Sequence, residues 1–362
     1  MIYLGLLSIM FIFAFLDVCE EKQFPSYKNI FLTFFFIMLF FVAGFRYNTG
    51  YDYDSYKDIF NRVNSSTLFN MGIEFGFTTL CYILKLLGLG FEVLIFIIAL
   101  VSLVFKYKSI KQYSIYPFIS LIIYFSANFI IQDFGQIRQG LAIAFSLYSI
   151  RYIKERRLVS YLILMAFAIA FHYSAVIFLP FYFIGNVELS NRKLIIIVAF
   201  SFVIYAVFRF GVFEFIFTKI INLPYVIYKY KAYSGAPLGF VGFTFVFRVA
   251  IFIAFLLLER DIRNNYTYYN ILKNGYFLSI IMYIIFNVNE GLATRGALYF
   301  KTFEILLIPS IVYAVKNKIV VFNAILVCYL YTLKDLVGAL MGQTEKFIPY
   351  KNLIFEFMKK LI

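Results

Sequence analysis

The chain has 362 residues, of which 63% are hydrophobic and 14% charged, and a formal net charge of +14. Against the roughly half apolar and quarter charged composition of a soluble domain, this excludes a soluble globular protein. The Lys and Arg residues lie in short clusters between apolar runs and form no continuous stripe, so the basic excess points to membrane topology and not to a nucleic-acid partner.

A helix crosses a bilayer with roughly 17 to 25 apolar residues. In chain order, such runs cover approximately 1–17, 29–45, 91–107, 116–132, 136–153, 193–210, 238–258, 272–288, 297–315 and 319–333. The first lacks a positive leading region and a cleavage site, so it reads as a span and not as a signal peptide. Two segments depart from the template. Residues 73–88 are short and carry Glu74 and Lys85, which predicts a tilted span or an external amphipathic or half helix. Residues 158–184 are too long for one span and too short for two, with His172 near the middle and Pro180 near the end, which predicts a broken or re-entrant pair. Counting that pair as two, the expectation is an all-α transmembrane bundle of about twelve crossings. It forms one integral membrane domain over 1–362, with external loops 46–72 and 211–237.

Positive clusters mark cytoplasmic loops. They are Lys106, Lys108 and Lys111; Arg151, Lys154, Arg156 and Arg157; Arg192 and Lys193; Arg260 and Arg263; Lys316 and Lys318. All are cytoplasmic together if 73–88 does not cross and 158–184 turns back. Both termini, the loop 46–74, the turn around Arg138, His172, Arg209 with the long loop to Pro237 that contains Lys231, the NEGLATRG turn and the tail after Lys334 then share the external side. A competing arrangement lets 73–88 span and puts the loop after Phe45 in the cytoplasm.

Four polar concentrations could carry chemistry. Phe45–Phe60 holds Arg46, Asp52, Asp54, Tyr56 and Asp58: either acids beside an anion-binding cation, or a solvated loop whose charges need no explanation. Asp52 and Asp54 have Asp-x-Asp spacing, a weak signal for a divalent ion. Gln132–Ala142 places Arg138 and Gln139 at a helix start. The Arg138 fork there suits phosphate oxygens, unless it snorkels to the interface. His172, the only histidine, is an intramembrane ionisable group and so a site candidate. A hydrogen-bonded packing role is the plain alternative. Asn287–Phe300 brings Glu290, Arg295 and Tyr299 to the same side, and Arg209 and Arg248 add further cations. Converging arginines imply a polyanionic ligand such as a diphosphate. The single His and the scattered Cys19, Cys81 and Cys328 predict no metal site, no disulfide and no cofactor.

These clusters, in this order, resemble the EpsG family, a branch of the Wzy-type O-antigen and capsular polysaccharide polymerases. The resemblance rests on Arg46 with the Gly50–Tyr56 run GYDYDSY, Glu74-Phe75-Gly76, the Ile137–Ala142 run IRQGLA, and Phe171-His172-Tyr173-Ser174-Ala175 followed by Pro180. Beyond Arg295 and Tyr299 the similarity is one of hydropathy. The resemblance implies an inverting, metal-independent glycosyltransferase in the bacterial cytoplasmic membrane with its site facing outward, in a bundle that could be GT-C-like. It would move a growing exopolysaccharide from undecaprenyl diphosphate to the terminal sugar of an incoming lipid-linked repeat unit. Implied partners are that lipid-linked oligosaccharide, the bilayer, and the pathway's flippase and chain-length regulator. Arginines would stabilise the departing diphosphate. For the base, a carboxylate crowded by arginines is weakened, which ranks His172 first, Asp52 second and Asp54 behind them. Rival readings are a flippase for the same lipid-linked sugars, an O-antigen ligase and a membrane acyltransferase. A flippase would be expected to show repeated halves, and none is found.

Overall fold

The computed structural model describes residues 2–19, 25–221, 227, 240, 242–342 and 344–361. Among these there are helices and turns but no strand. Helices α1 (Ile2–Cys19) and α2 (Pro25–Gly44) are joined at one end of the bundle, where Asp17 pairs with Lys28 at 2.6 Å. The second Asp17 oxygen accepts the amide of Phe118, in the first turn of α6 (Pro117–Ile123), at 3.1 Å. A carboxylate there satisfies an orphan donor at a positive helix end.

At the other end, α3 (Tyr53–Arg62) and α4 (Phe75–Leu86) form a hairpin. Lys85 Nζ donates to the carbonyls of Phe60, Asn61 and Val63 at 3.3, 2.9 and 2.7 Å, closing the C-terminus of α3. Helix α5 (Phe91–Tyr113) follows, and α6 runs on into a π-helical segment, Tyr124–Asp133. Next come α7 (Ile137–Tyr148), α8 (Ile150–Lys154) and α9 (Leu158–Phe171). The chain then turns extended at His172 (φ −155°, ψ 114°), passes through a 3-10 turn, Tyr173–Phe178, and ends in α10 (Phe181–Ile184). The expected break within 158–184 therefore falls at His172.

Beyond Ile184 the described α-helices of four or more residues are α11 (Asn191–Val207), α12 (Phe243–Leu257), α13 (Glu259–Asn265), α14 (Tyr269–Phe286), α15 (Glu290–Lys301), α16 (Glu304–Ala314), α17 (Lys318–Gly342), α18 (Thr344–Phe347) and α19 (Leu353–Leu361). Helices α15 and α16 meet at 53°. The bend falls where the Phe303 ring packs against Gly275 of α14, so closely that a Cβ there would lie 2.8 Å from it.

Among the described residues, five helices are long and apolar enough to cross a membrane: Tyr27–Gly44, Phe91–Tyr113, Asn191–Val212, Tyr269–Phe286 and Lys318–Gly342. The bent pair of α15 and α16 brings the number to six. The runs expected at 116–132 and 136–153 are divided by the π-helical segment and by the step between α7 and α8, and so miss that length as single helices.

Several expectations need correction. The loop 46–72 contains a helix, α3, whose buried face is Tyr53, Tyr56, Ile59 and Phe60 at helical spacing. The span expected from 297 starts at Glu290, because Asn289 caps it: its Oδ1 accepts the Leu292 amide at 3.1 Å. The span expected to stop at 333 continues through Lys334 and Asp335 to Gly342. Lys106 is not a loop charge but a buried residue within α5. The loop expected from 211 is helical over 213–221, with Gly211 at φ +86° forming a kink before it. Residues 222–226 and 228–239, including Lys231, lie outside the described residues.

Candidate anion and glycosyl-transfer site

One end of the bundle collects the start of α4, the start of α7, the end of α9, the start of α15 and the loop before α3. Gly76 brings the first and third of these together: a Cβ at Gly76 would sit 2.7 Å from the Ala170 carbonyl oxygen, so only glycine lets α4 lie this close to α9. That approach sets Glu74, the N-cap position of α4, beside His172. Glu74 Oε2 forms an ion pair with Arg138 Nη1, while Oε1 accepts the Tyr173 amide at 3.5 Å and lies 3.8 Å from His172 Nδ1. The Arg138 guanidinium also packs over the rings of Tyr56 and Phe77, at 5.6 and 5.5 Å. A planar cation stacked in this way keeps its fork oriented.

The extended turn at His172 makes the imidazole an N-cap. Nδ1 lies 3.3 Å from the Ser174 amide and 3.0 Å from Ser174 Oγ, and Ser174 Oγ donates to Tyr299 Oη at 3.1 Å. A backbone amide can only donate, so Nδ1 must accept. The neutral ring therefore carries its proton on Nε2, which makes it a donor towards any ligand at that nitrogen. This weighs against His172 as the base.

Asp52 precedes α3, with Arg295 and Arg138 within electrostatic reach. Burial raises its carboxyl above the ordinary carboxylate range, and the two arginines oppose that rise without overcoming it. The expectation that arginines would leave this acid a weak base is thus reversed by desolvation. Gln139 is buried and donates to the Arg295 carbonyl at 3.4 Å, tying α7 to α15.

Asp52, Arg138, Gln139, His172, Arg295 and Tyr299 are thus brought together. Glu74, Tyr56 and Ser174 join them. Glu74 was legible as a charge on a short helix and as part of the Glu74-Phe75-Gly76 motif, but not as the partner of Arg138, which is 64 positions away.

The other expected residues lie elsewhere. Asp54 turns outward to Lys346 of α18, at 2.9 Å, so the Asp-x-Asp pair does not converge. Arg46 is buried beneath the loop, donating to the Asp133 carbonyl at 2.7 Å with its guanidinium 5.0 Å from the Phe134 ring. Burial pushes it down to about 10. Arg248 is buried on α12, donating to the Ser279 carbonyl at 2.9 Å and stacked on Tyr283. Arg209 is exposed and bonds Tyr205 Oη at 3.1 Å, and Glu290 is exposed in the first turn of α15. Among the described residues no three His, Cys, Asp or Glu side chains form a cluster that could hold a metal ion.

An all-helical protein with several membrane-length apolar helices, and a cluster of arginines and carboxyls at one end of the bundle, is a polytopic membrane protein with a polar site. The EpsG family model matches residues 29–352, nearly the whole chain, and the chain belongs to the EpsG family. No curated protein and no solved structure matches it.

Proposed function

We propose that the protein is a membrane polysaccharide polymerase, transferring a growing glycan from undecaprenyl diphosphate to the terminal sugar of a lipid-linked repeat unit at the outer face of the bacterial cytoplasmic membrane. The observation that carries this reading, together with family membership, is the meeting of Arg138, Arg295, Asp52 and His172 at one end of the bundle. The acceptor hydroxyl attacks the anomeric carbon, the bond from that carbon to the diphosphate oxygen breaks, and the hydroxyl proton passes to Asp52. Arg138 and Arg295 stabilise the charge gathering on the departing diphosphate. His172 donates through Nε2, and Asp52 replaces it as the base. No resident metal is invoked.

The twelve-crossing arrangement is part of the same proposal. What supports it is that contacts gather where such an arrangement would put the helix ends together: Asp17 with Lys28 and Tyr113 with Tyr148 at one end, Tyr3 with Phe347 and Tyr51 with Ala339 at the other. It treats α9 and the 3-10 turn with α10 as separate traverses of one GT-C-like domain. The external segment 46–72 borders the site, and 211–221 is assigned to the same side of the membrane. A chain-length regulator and a flippase of the pathway are the expected partners.

The test is reconstitution of the purified protein with the lipid-linked repeat unit from its own host, in the presence of a chelator. Ladders of longer glycans are expected. Movement of the lipid across the bilayer without a new glycosidic bond would replace this reading with a flippase, and transfer onto a lipid A core alone would replace it with a ligase.

A further inference from the structure

Glu74 belongs to the cluster, yet the transfer as written gives it no part. Its side chain is 4% exposed, and its two oxygens are held from two elements, one by Arg138 of α7 and one by the Tyr173 amide beyond α9. That is where a phosphate group gripped by Arg138 would also have to put its oxygens. We infer that Glu74 is a built-in counter-anion: its carboxylate fills the diphosphate subsite at rest and yields it to the incoming lipid diphosphate. The inference rests on the polymerase reading for the identity of that ligand.

The physical argument has three parts. First, a carboxylate and a phosphate oxygen are alternative partners for the same guanidinium face. With Glu74 in place, a second anion at Arg138 meets like charge at close range. Second, α4 is packed through Gly76 on the Ala170 backbone and tied through Lys85 to the end of α3, so shifting it would break both contacts. The carboxylate therefore leaves by rotation of its own side chain, which requires no helix movement. Third, the resting pair leaves Arg138 neutralised in a bilayer rich in phosphodiester headgroups. A ligand of single charge competes poorly with a carboxylate already in position, and a diphosphate brings more charge to the contest. Glu74 would act as a filter on which phosphate lipid enters.

The test uses inorganic diphosphate and, in a parallel arm, inorganic orthophosphate, titrated calorimetrically into the full-length protein in nanodiscs. Glu74→Gln keeps the shape and removes the charge. It is expected to bind diphosphate at least about tenfold more tightly than wild type, since a unit of repelling charge a few ångströms away is lost. Arg138→Ala is expected to bind it more weakly than wild type. Unchanged or weaker diphosphate binding by a Glu74→Gln protein of wild-type thermal midpoint would overturn the inference and leave Glu74 as a support that positions Arg138. Tightening towards orthophosphate alone would overturn the diphosphate assignment. If Glu74→Gln does not fold, Glu74→Asp, which keeps the charge but shortens its reach, takes its place. Tighter binding is then expected, and equal or weaker binding overturns the idea. None of these measurements needs turnover, so a failed polymerisation assay would strike the proposed function alone.

Discussion

Asp133 and Arg138 stand five positions apart in sequence, and each belongs to an ion pair, but the two pairs differ in burial and in how fully their carboxylates are engaged. The Lys106–Asp133 pair has side chains 2% and 1% exposed, and both carboxylate oxygens are fully engaged. Oδ1 accepts from Ser102 at 2.6 Å and Lys106 at 2.9 Å, while Oδ2 accepts from Lys106 at 2.7 Å and Tyr124 at 2.5 Å. The Arg138–Glu74 pair is 18% and 4% exposed and lies beside a titratable ring that is 23% exposed. A sealed, saturated pair holds helices together. A pair open on one side can exchange a partner, which is what binding requires. The lesson is that burial and saturation, and not the presence of opposite charges, separate scaffold from site.

The largest expected effect falls on the sealed pair. Lys106→Met leaves the Asp133 carboxyl without its cation, with only Ser102 and Tyr124 donating to it, and should destabilise the protein by about 3–5 kcal/mol, seen as a lower thermal midpoint in detergent. Adding Asp133→Leu should restore most of that loss. A single variant as stable as wild type would erase the contrast between the two pairs.

On the open side, Asp52→Asn should lower polymer formation by about a hundred- to ten-thousand-fold with little change in thermal midpoint. The base works ionised, and burial raises the Asp52 carboxyl. Wild-type activity should therefore fall as pH drops through a midpoint above the ordinary carboxylate range. His172→Gln, which can still donate a hydrogen bond, should retain more turnover than Asp52→Asn. The reverse order would return the role of base to His172. The smallest effect is expected at the exposed Asp54–Lys346 contact: Lys346→Gln should leave both the thermal midpoint and the polymer yield unchanged within error.

What was legible in the sequence follows from which signals are local. The apolar runs, the break near His172 and the half helix after Ile73 could be read because length and hydropathy set them along the chain. Lys106 was misread as a topology charge, since nothing near it in sequence shows that Asp133 lies across the helix interface. Arg46 and Arg248 read as ligand cations, and the structure buries both, with Nη1 of each donating to a backbone carbonyl and an aromatic ring alongside. The start of α15 could have been found from Asn289 followed by Glu290, a cap and a first-turn acid, had NEGLATRG not been taken as a turn.

The loop that carries Asp52 is stitched to a distant part of the chain. Tyr47 donates to the Lys351 carbonyl at 3.0 Å, Gly50 to that of Lys346 at 2.8 Å, and Leu353 back to Phe45 at 2.7 Å, while Arg46 bridges Asn352. During synthesis, residues 45–50 leave the ribosome some three hundred residues before their partners. The loop must therefore wait without these partners until synthesis is nearly complete. The Asp52 side of the site acquires its final shape only when the segment around Asn352 folds back, so chains stalled before that point can be fully inserted in the bilayer and still lack the complete loop.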